Sequence, residues 1–133
     1  MKTFQIEIVT PDGLLYDGEA ESLLVRTQDG DIEILAGHTD FLAALATGRA
    51  RLTVDGVKRF AACNGGFVSV SGGKVRLCAV TFEFADAIDL ERAKRAKENA
   101  ERSLTEAKDD RDTRLAKAKL MRALSRISAA SGK

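Results

Sequence analysis

The sequence has no tryptophan, one tyrosine, one proline, one histidine and two cysteines in 133 residues. It has no apolar run near the roughly 18 to 20 residues that cross a bilayer as a helix. The strictly alternating start, MKTFQIEIVTPDG, is not built like a secretory signal, so a cytoplasmic protein is expected. Cys63 and Cys78 lie in apolar stretches with no second Cys or His at metal-ligand spacing, and read as reduced core residues rather than ligands. With His38 as the sole imidazole, the pattern shows no triad. The scarcity of aromatics leaves no platform for stacking bases. A phosphate loop is also missing, because SGGK at 71–74 lacks the required spacing and reads as a hairpin turn. Catalysis therefore has no visible seat.

What the chain does contain falls into two parts. Up to Ala87, ten of the eleven glycines punctuate apolar/polar alternation, as in FQIEIV, SLLVRTQ, DIEIL, RARLTV, KRFAAC, GFVSV and KVRLCAVTFEF. Period two with turn chemistry about every 8 to 12 residues predicts an all-β sandwich or barrel of about eight to ten short strands. Pro11-Asp12-Gly13 is a turn after which a further strand is expected.

From Ile88 the composition shifts to Ala, Leu, Glu, Lys and Arg, and glycine does not return until Gly132. Asp89 is placed as an N-cap with Glu91 in the first turn, and Leu90, Ala93, Ala100, Leu104 and Ala107 form a stripe that Lys97 interrupts. KDDRD at 108–112 offers Asp109, Asp110 or Asp112 to cap a second helix, whose stripe is Ala116, Leu120, Ala123, Leu124 and Ile127. So short a link predicts an antiparallel hairpin. Its alanine-rich seam holds weakly, since a buried Leu contributes about 1.5–3 kcal/mol and Ala much less.

The two parts carry opposite charge. Residues 1–88 hold 8 Lys/Arg against 12 Asp/Glu, a net −4; residues 89–133 hold 13 against 8, a net +5. No acid follows Asp112, whereas Arg114, Lys117, Lys119, Arg122, Arg126 and Lys133 do. Such an arm suits either a solvated face or an acidic partner. Arg122 and Arg126 are one helical turn apart and can converge on a phosphate or carboxylate. Asp89 and Arg92 have a purely local account as helix cap and first-turn partner.

Four segments, IVTPDGLLYDG (8–18), TQDGDIEILAGH (27–38), NGGFVSV (64–70) and IDLERA (88–93), give the whole chain a resemblance to the epsilon subunit of bacterial F-type ATP synthase. Glu33 and Ala36 depart from the pattern, standing where the family commonly has glycine and proline. Glu33 implies a backbone position without positive φ.

The resemblance implies a ten-stranded N-terminal β-sandwich over residues 1–87 and a C-terminal antiparallel two-helix hairpin over 88–133. It implies a non-catalytic rotor subunit of a proton-translocating motor, peripheral on the cytoplasmic face of the plasma membrane. The sandwich would bind the gamma subunit and rest on the c-ring, with Asp29, Gly30 and Asp31 toward the ring and His38 near gamma. The hairpin would extend its basic second helix, with Arg114, Lys117, Lys119, Arg122 and Arg126, toward the alpha and beta catalytic subunits and restrain ATP hydrolysis. Some members bind ATP as a regulatory ligand with the hairpin folded down, through residues that correspond to Glu83, Ile88, Asp89, Arg92, Ala93, Arg122 and Arg126. Asn99 stands where some of these relatives have arginine, which implies weaker binding. The competing reading is a stand-alone nucleotide-sensing adaptor with an unrelated partner.

Overall fold

The computed structural model describes residues 2–132. Among the described residues eight strands precede the helices: β1 (Phe4–Thr10), β2 (Gly13–Ala20), β3 (Ser22–Thr27), β4 (Gly30–Leu35), β5 (Phe41–Ala44), β6 (Gly48–Val54), β7 (Val57–Ser71) and β8 (Lys74–Phe84). They hydrogen-bond in the order β2-β1-β8-β7-β6-β3-β4, with β5 also paired to β7.

The long β7–β8 hairpin makes a sandwich of this path. Its distal part, residues 67–71 with 74–78, continues into β1 and β2 on one side and β5 on the other. The proximal part, 57–63 with 82–84, continues into β6, β3 and β4. Eight strands, rather than the ten implied by the resemblance, result because both long strands pass from one layer to the other unbroken. KRFAAC and GFVSV, read as separate strands, are thus halves of β7. Gly65 and Gly66 lie at the crossing with φ of +67° and +98°, and a Cβ on Gly66 would sit 1.9 Å from the Cys78 carbonyl oxygen. Only glycine permits that approach. The short β5, hidden between loop residues, was not foreseen.

Alternation produces the core. Phe4, Ile6 and Ile8 of β1, Leu23 and Val25 of β3, Leu52 of β6 and Val75 and Leu77 of β8 point inward and join one cluster. Cys63 is buried in it, but Cys78 is only half-buried and faces outward, contrary to its reading as a core residue. Glu33 lies in extended β4 without positive φ, as the sequence implied, and among the described residues the only non-glycine with positive φ is Asp55.

A single 3-10 turn (Ala85–Ala87) leads into α1 (Leu90–Glu106) and α2 (Asp110–Ser131). Asp89 caps α1 by accepting the Arg92 backbone N–H at 3.1 Å; of the three candidates for α2, Asp109 is the cap, accepting from Asp112 N–H at 2.8 Å. The helices pack on each other, and α2 also lies on the outer side of β6 and β7. Two different faces of α2 are therefore covered. Ala116 and Ala123 are buried on the seam face, whereas Ser125 and Ala129 are buried on another. Leu124, expected in the seam, is 40% exposed because it falls at the margin between these faces. No helix among the described residues is long and apolar enough to cross a membrane.

Candidate functional site

The end of β8, the 3-10 turn, the start of α1 and the C-terminal half of α2 enclose a cleft of about 310 Å³. Glu83, Ile88, Asp89, Arg92, Ala93 and Arg126 line it, with Ala87 and Ala96. Those six come from the set singled out in the sequence. The seventh, Arg122, lines the adjoining pocket with Thr47, Asn64, Thr81 and both Glu83 and Arg126. The volume of the cleft at Asp89 and Arg92 is at the small end of the roughly 300–1,000 Å³ typical of ligand pockets.

Charges in the cleft are already partly committed. Arg126 donates from Nε to Glu83 Oε1 at 2.6 Å, both side chains being about one-third exposed, at 33% and 35%. One Asp89 oxygen is engaged by the helix cap. Arg92 and Arg122 join none of the ion pairs among the described residues. They are thus cations available to a polyanion, while Glu83 and Asp89 offer acceptors suited to amino or hydroxyl groups. Asn99 instead accepts a hydrogen bond from Arg102 one turn along α1. Ala87 and Ala96 carried no sequence signal, since a small residue that makes room looks like any helix-forming alanine.

The basic helix is divided. Arg114, Lys117 and Lys119 are exposed, but Arg122 and Arg126 are half-buried toward the sandwich. Lys133 falls outside the described residues.

A second surface lies on the opposite layer. The strand register aligns Leu14, Val9, Cys78, Phe67 and Ala44 in one row across β2, β1, β8, β7 and β5. Leu14 is 56% exposed and Phe67 44%, and Leu42, farther along β5, is 70% exposed. A contiguous apolar row of this kind marks a contact surface more than scattered apolar residues do. Beside it, Glu7 accepts from Lys74 at 2.7 Å and from Arg76 at 3.2 Å, and these bonds hold its carboxyl below the ordinary value.

The predicted interface residues occupy two loops. Asp29 lies in the β3–β4 turn with Gln28, Gly30 begins the return strand and its carbonyl accepts from Thr27 Oγ1 at 2.7 Å, and Asp31 follows it in β4. Asp31 accepts from Arg26 Nε at 2.9 Å, which keeps its carboxyl acidic and raises the guanidinium. In the β4–β5 loop, the His38 ring packs on Phe41 at 4.8 Å and its Nδ1 lies 2.9 Å from the Thr39 carbonyl oxygen. No group of three or more His, Cys, Asp or Glu suited to a metal occurs among the described residues.

A sandwich with one apolar outer face open and a helical pair docked on the other defines a binding module with an appended helical arm. The domain models agree over nearly the entire chain: the beta-sandwich domain of the ATP synthase delta/epsilon chain matches residues 3–85, and its long alpha-helix domain matches 86–131. The chain belongs to the ATP synthase delta/epsilon chain family, as an epsilon-type, non-catalytic subunit. It is 44% identical to the ATP synthase epsilon chain of Bacillus velezensis, with 98% of each chain covered. The epsilon chain of Bacillus subtilis is 43% identical over 86% of each, and that of Shouchella clausii 39% identical over all of this chain and 98% of its own. In fold, the chain is similar to one in the Euglena gracilis mitochondrial ATP synthase, with a TM-score of 0.84, 23% identity and coverage of 97% and 81% of the two chains. A chain of the Tetrahymena thermophila mitochondrial ATP synthase central stalk and c-ring gives a TM-score of 0.66 at 14% identity, with 97% of both chains covered.

Proposed function

We propose that this epsilon-type chain is a central-stalk subunit that docks on gamma through the open apolar face of its sandwich and regulates ATP hydrolysis through its helical arm. The observation that carries the reading is the difference between the two outer faces: α2 covers the β6/β7 side, while Leu14, Phe67 and Leu42 stand exposed on the other. A partner that covers this row gains the usual free energy of apolar burial, about 25 cal/mol per Å². The turn Asp29-Gly30-Asp31 is the contact to the c-ring, and His38, next to β5, borders the gamma surface. Membrane association then comes through the assembly.

The three-residue link 107–109 turns α2 back antiparallel to α1, and the pair lifts as a unit. What holds it down is modest, because every fully buried helix side chain is Ala or Ser. ATP in the cleft supplies the missing increment: its phosphates meet Arg92 and Arg122, and its base or ribose meets Glu83 and Asp89. A ligand at 100 times its Kd stabilises the state that it binds by about 2.7 kcal/mol, enough to set the position of a marginal arm. Released, α2 exposes Arg122 and Arg126 with Arg114, Lys117 and Lys119 to acidic surfaces of the catalytic subunits.

A truncated chain ending at Ile88 tests the proposal in the reconstituted complex. It retains gamma binding and relieves inhibition of hydrolysis, while Phe67→Asp in the full chain loses gamma; unchanged hydrolysis after truncation refutes the regulatory role. The cleft by itself also suits a stand-alone nucleotide sensor, and ATP binding with no affinity for gamma would favour that reading.

A further inference from the structure

Beneath α2 the outer side of the sandwich carries a row of charges, most of them matched in two ion pairs. Asp31 of β4 pairs with Arg26 of β3, and at the other end Glu83 of β8 pairs with Arg126 of α2. Arg49 of β6 lies between them: its register partner is Ala62, which in turn is opposite Glu83. It joins no ion pair among the described residues.

Arg49 stacks its guanidinium on the Phe60 ring at 4.7 Å, a contact that satisfies the flat face of the group but gives its in-plane N–H bonds no acceptor. Its Nη1 is buried without a partner. The Ser125 hydroxyl, supplied from above by α2, is likewise buried without one. Arg49, Ser125 and Ser128 line one groove of about 300 Å³, with Arg26 and Asp31 at one side. Arg51 also leaves Nε unpaired, but that guanidinium is already held by Glu33. Arg49 brings to the groove a positive charge that no ion pair takes up, though it also acts on the Asp31 carboxylate without touching it, and with the Arg26–Asp31 pair the net charge is +1.

We infer that this groove is a second anion site, distinct from the cleft at Asp89 and Arg92, and that it takes a small tetrahedral oxyanion of the phosphate class between Arg49 and Ser125. Such an ion offers several acceptor oxygens, which meet a guanidinium fork and a hydroxyl together as a single planar acceptor does not. Because Arg49 belongs to the sandwich and Ser125 to α2, an ion bridging them favours the docked arm. Phosphate concentration would then bias the arm independently of nucleotide.

The test is a calorimetric titration of inorganic phosphate into the full chain at constant ionic strength, repeated with ATP. Saturable phosphate binding is expected, weakened at least tenfold by Arg49→Met, which keeps the aliphatic stem, and severalfold by Ser125→Ala. Arg92→Ala is expected to leave phosphate affinity unchanged while reducing any affinity for ATP. Amide exchange in residues 121–130 should slow with phosphate in the unmodified chain and not in Arg49→Met. If Arg49→Met fails to fold, Ser125→Ala decides. Absence of saturable phosphate binding, or its loss in Arg92→Ala with retention in Ser125→Ala, overturns the assignment.

Discussion

Arg126 Nε and Glu83 Oε1 meet at 2.6 Å although the residues are 43 positions apart, and theirs is the ion pair that joins the last strand to the second helix. Each side chain remains about one-third exposed, so the pair contributes on the order of 1 kcal/mol or less. It closes one side of the cleft at Asp89 and Arg92, but it does not alone hold the arm.

Substitution at either end should therefore loosen α2 selectively. Arg126→Ala or Glu83→Gln is expected to speed amide exchange in α2 by a factor of up to about five, the equivalent of about 1 kcal/mol, with exchange in the β1, β3 and β8 core unchanged. The core residues themselves all lie between Phe4 and Phe82, which is why the two regions should respond separately.

Gly66 is the position where the layers share a strand pair. Gly66→Ala must displace the Cys78 carbonyl or abandon a φ of +98°, and should cost about 2–5 kcal/mol in chemical denaturation. Gly72→Ala, at φ +57° with open space around its Cβ, should cost only about 1 kcal/mol.

The two thiols should differ sharply in reactivity. Burial pushes the Cys63 thiol up to about 12, so at pH 8 about one molecule in ten thousand carries the thiolate there even before access is considered. Cys78 faces the outer apolar row and is only half-buried. Alkylation of the native chain should label Cys78 alone, and labelling both without denaturant would contradict the placement of Cys63.

Acid should remove a small part of the stability through Asp31. The Arg26 hydrogen bond holds its folded-state pKa below the ordinary value of about 3.9, so the contribution is present above that pH and is lost as pH falls through the lowered pKa. With both side chains nearly half exposed, at 49% and 47%, the loss should not exceed about 1 kcal/mol. Asp31→Asn should flatten the difference in unfolding free energy between pH 6 and pH 3 by that amount.

The sandwich was legible because period two is a direct image of burial: Phe4, Ile6 and Ile8 alternate with polar residues, and each points where its pattern says. Strand count was less so, since Gly65-Gly66 looks like a turn in sequence and is instead the crossing of one continuous strand. The seam of α2 could be read from its apolar stripe. Its sandwich face could not, because Arg122, Ser125, Arg126 and Ala129 look like solvent-facing residues until a sheet is placed under them.

The cleft was legible in a different way. Its lining residues come from a strand end, a helix start and a helix end, and no local pattern unites Glu83, Arg92 and Arg126. Likeness to a family selected them, and the geometry places six of the seven around one cavity while Arg122 sits beside it. Arg49 escaped both routes, as its unpaired state depends on Asp31 and Glu83 being taken by other arginines.

The measurement that bears most directly on the account is a calorimetric titration of ATP into the full chain and into Arg92→Ala. The account predicts saturable binding by the unmodified chain, weakened at least tenfold in the variant, together with slower amide exchange in α2 when ATP is bound. No binding at millimolar ATP, or equal binding by both chains, would contradict it and leave Asp89 and Arg92 as the cap and first turn of a helix.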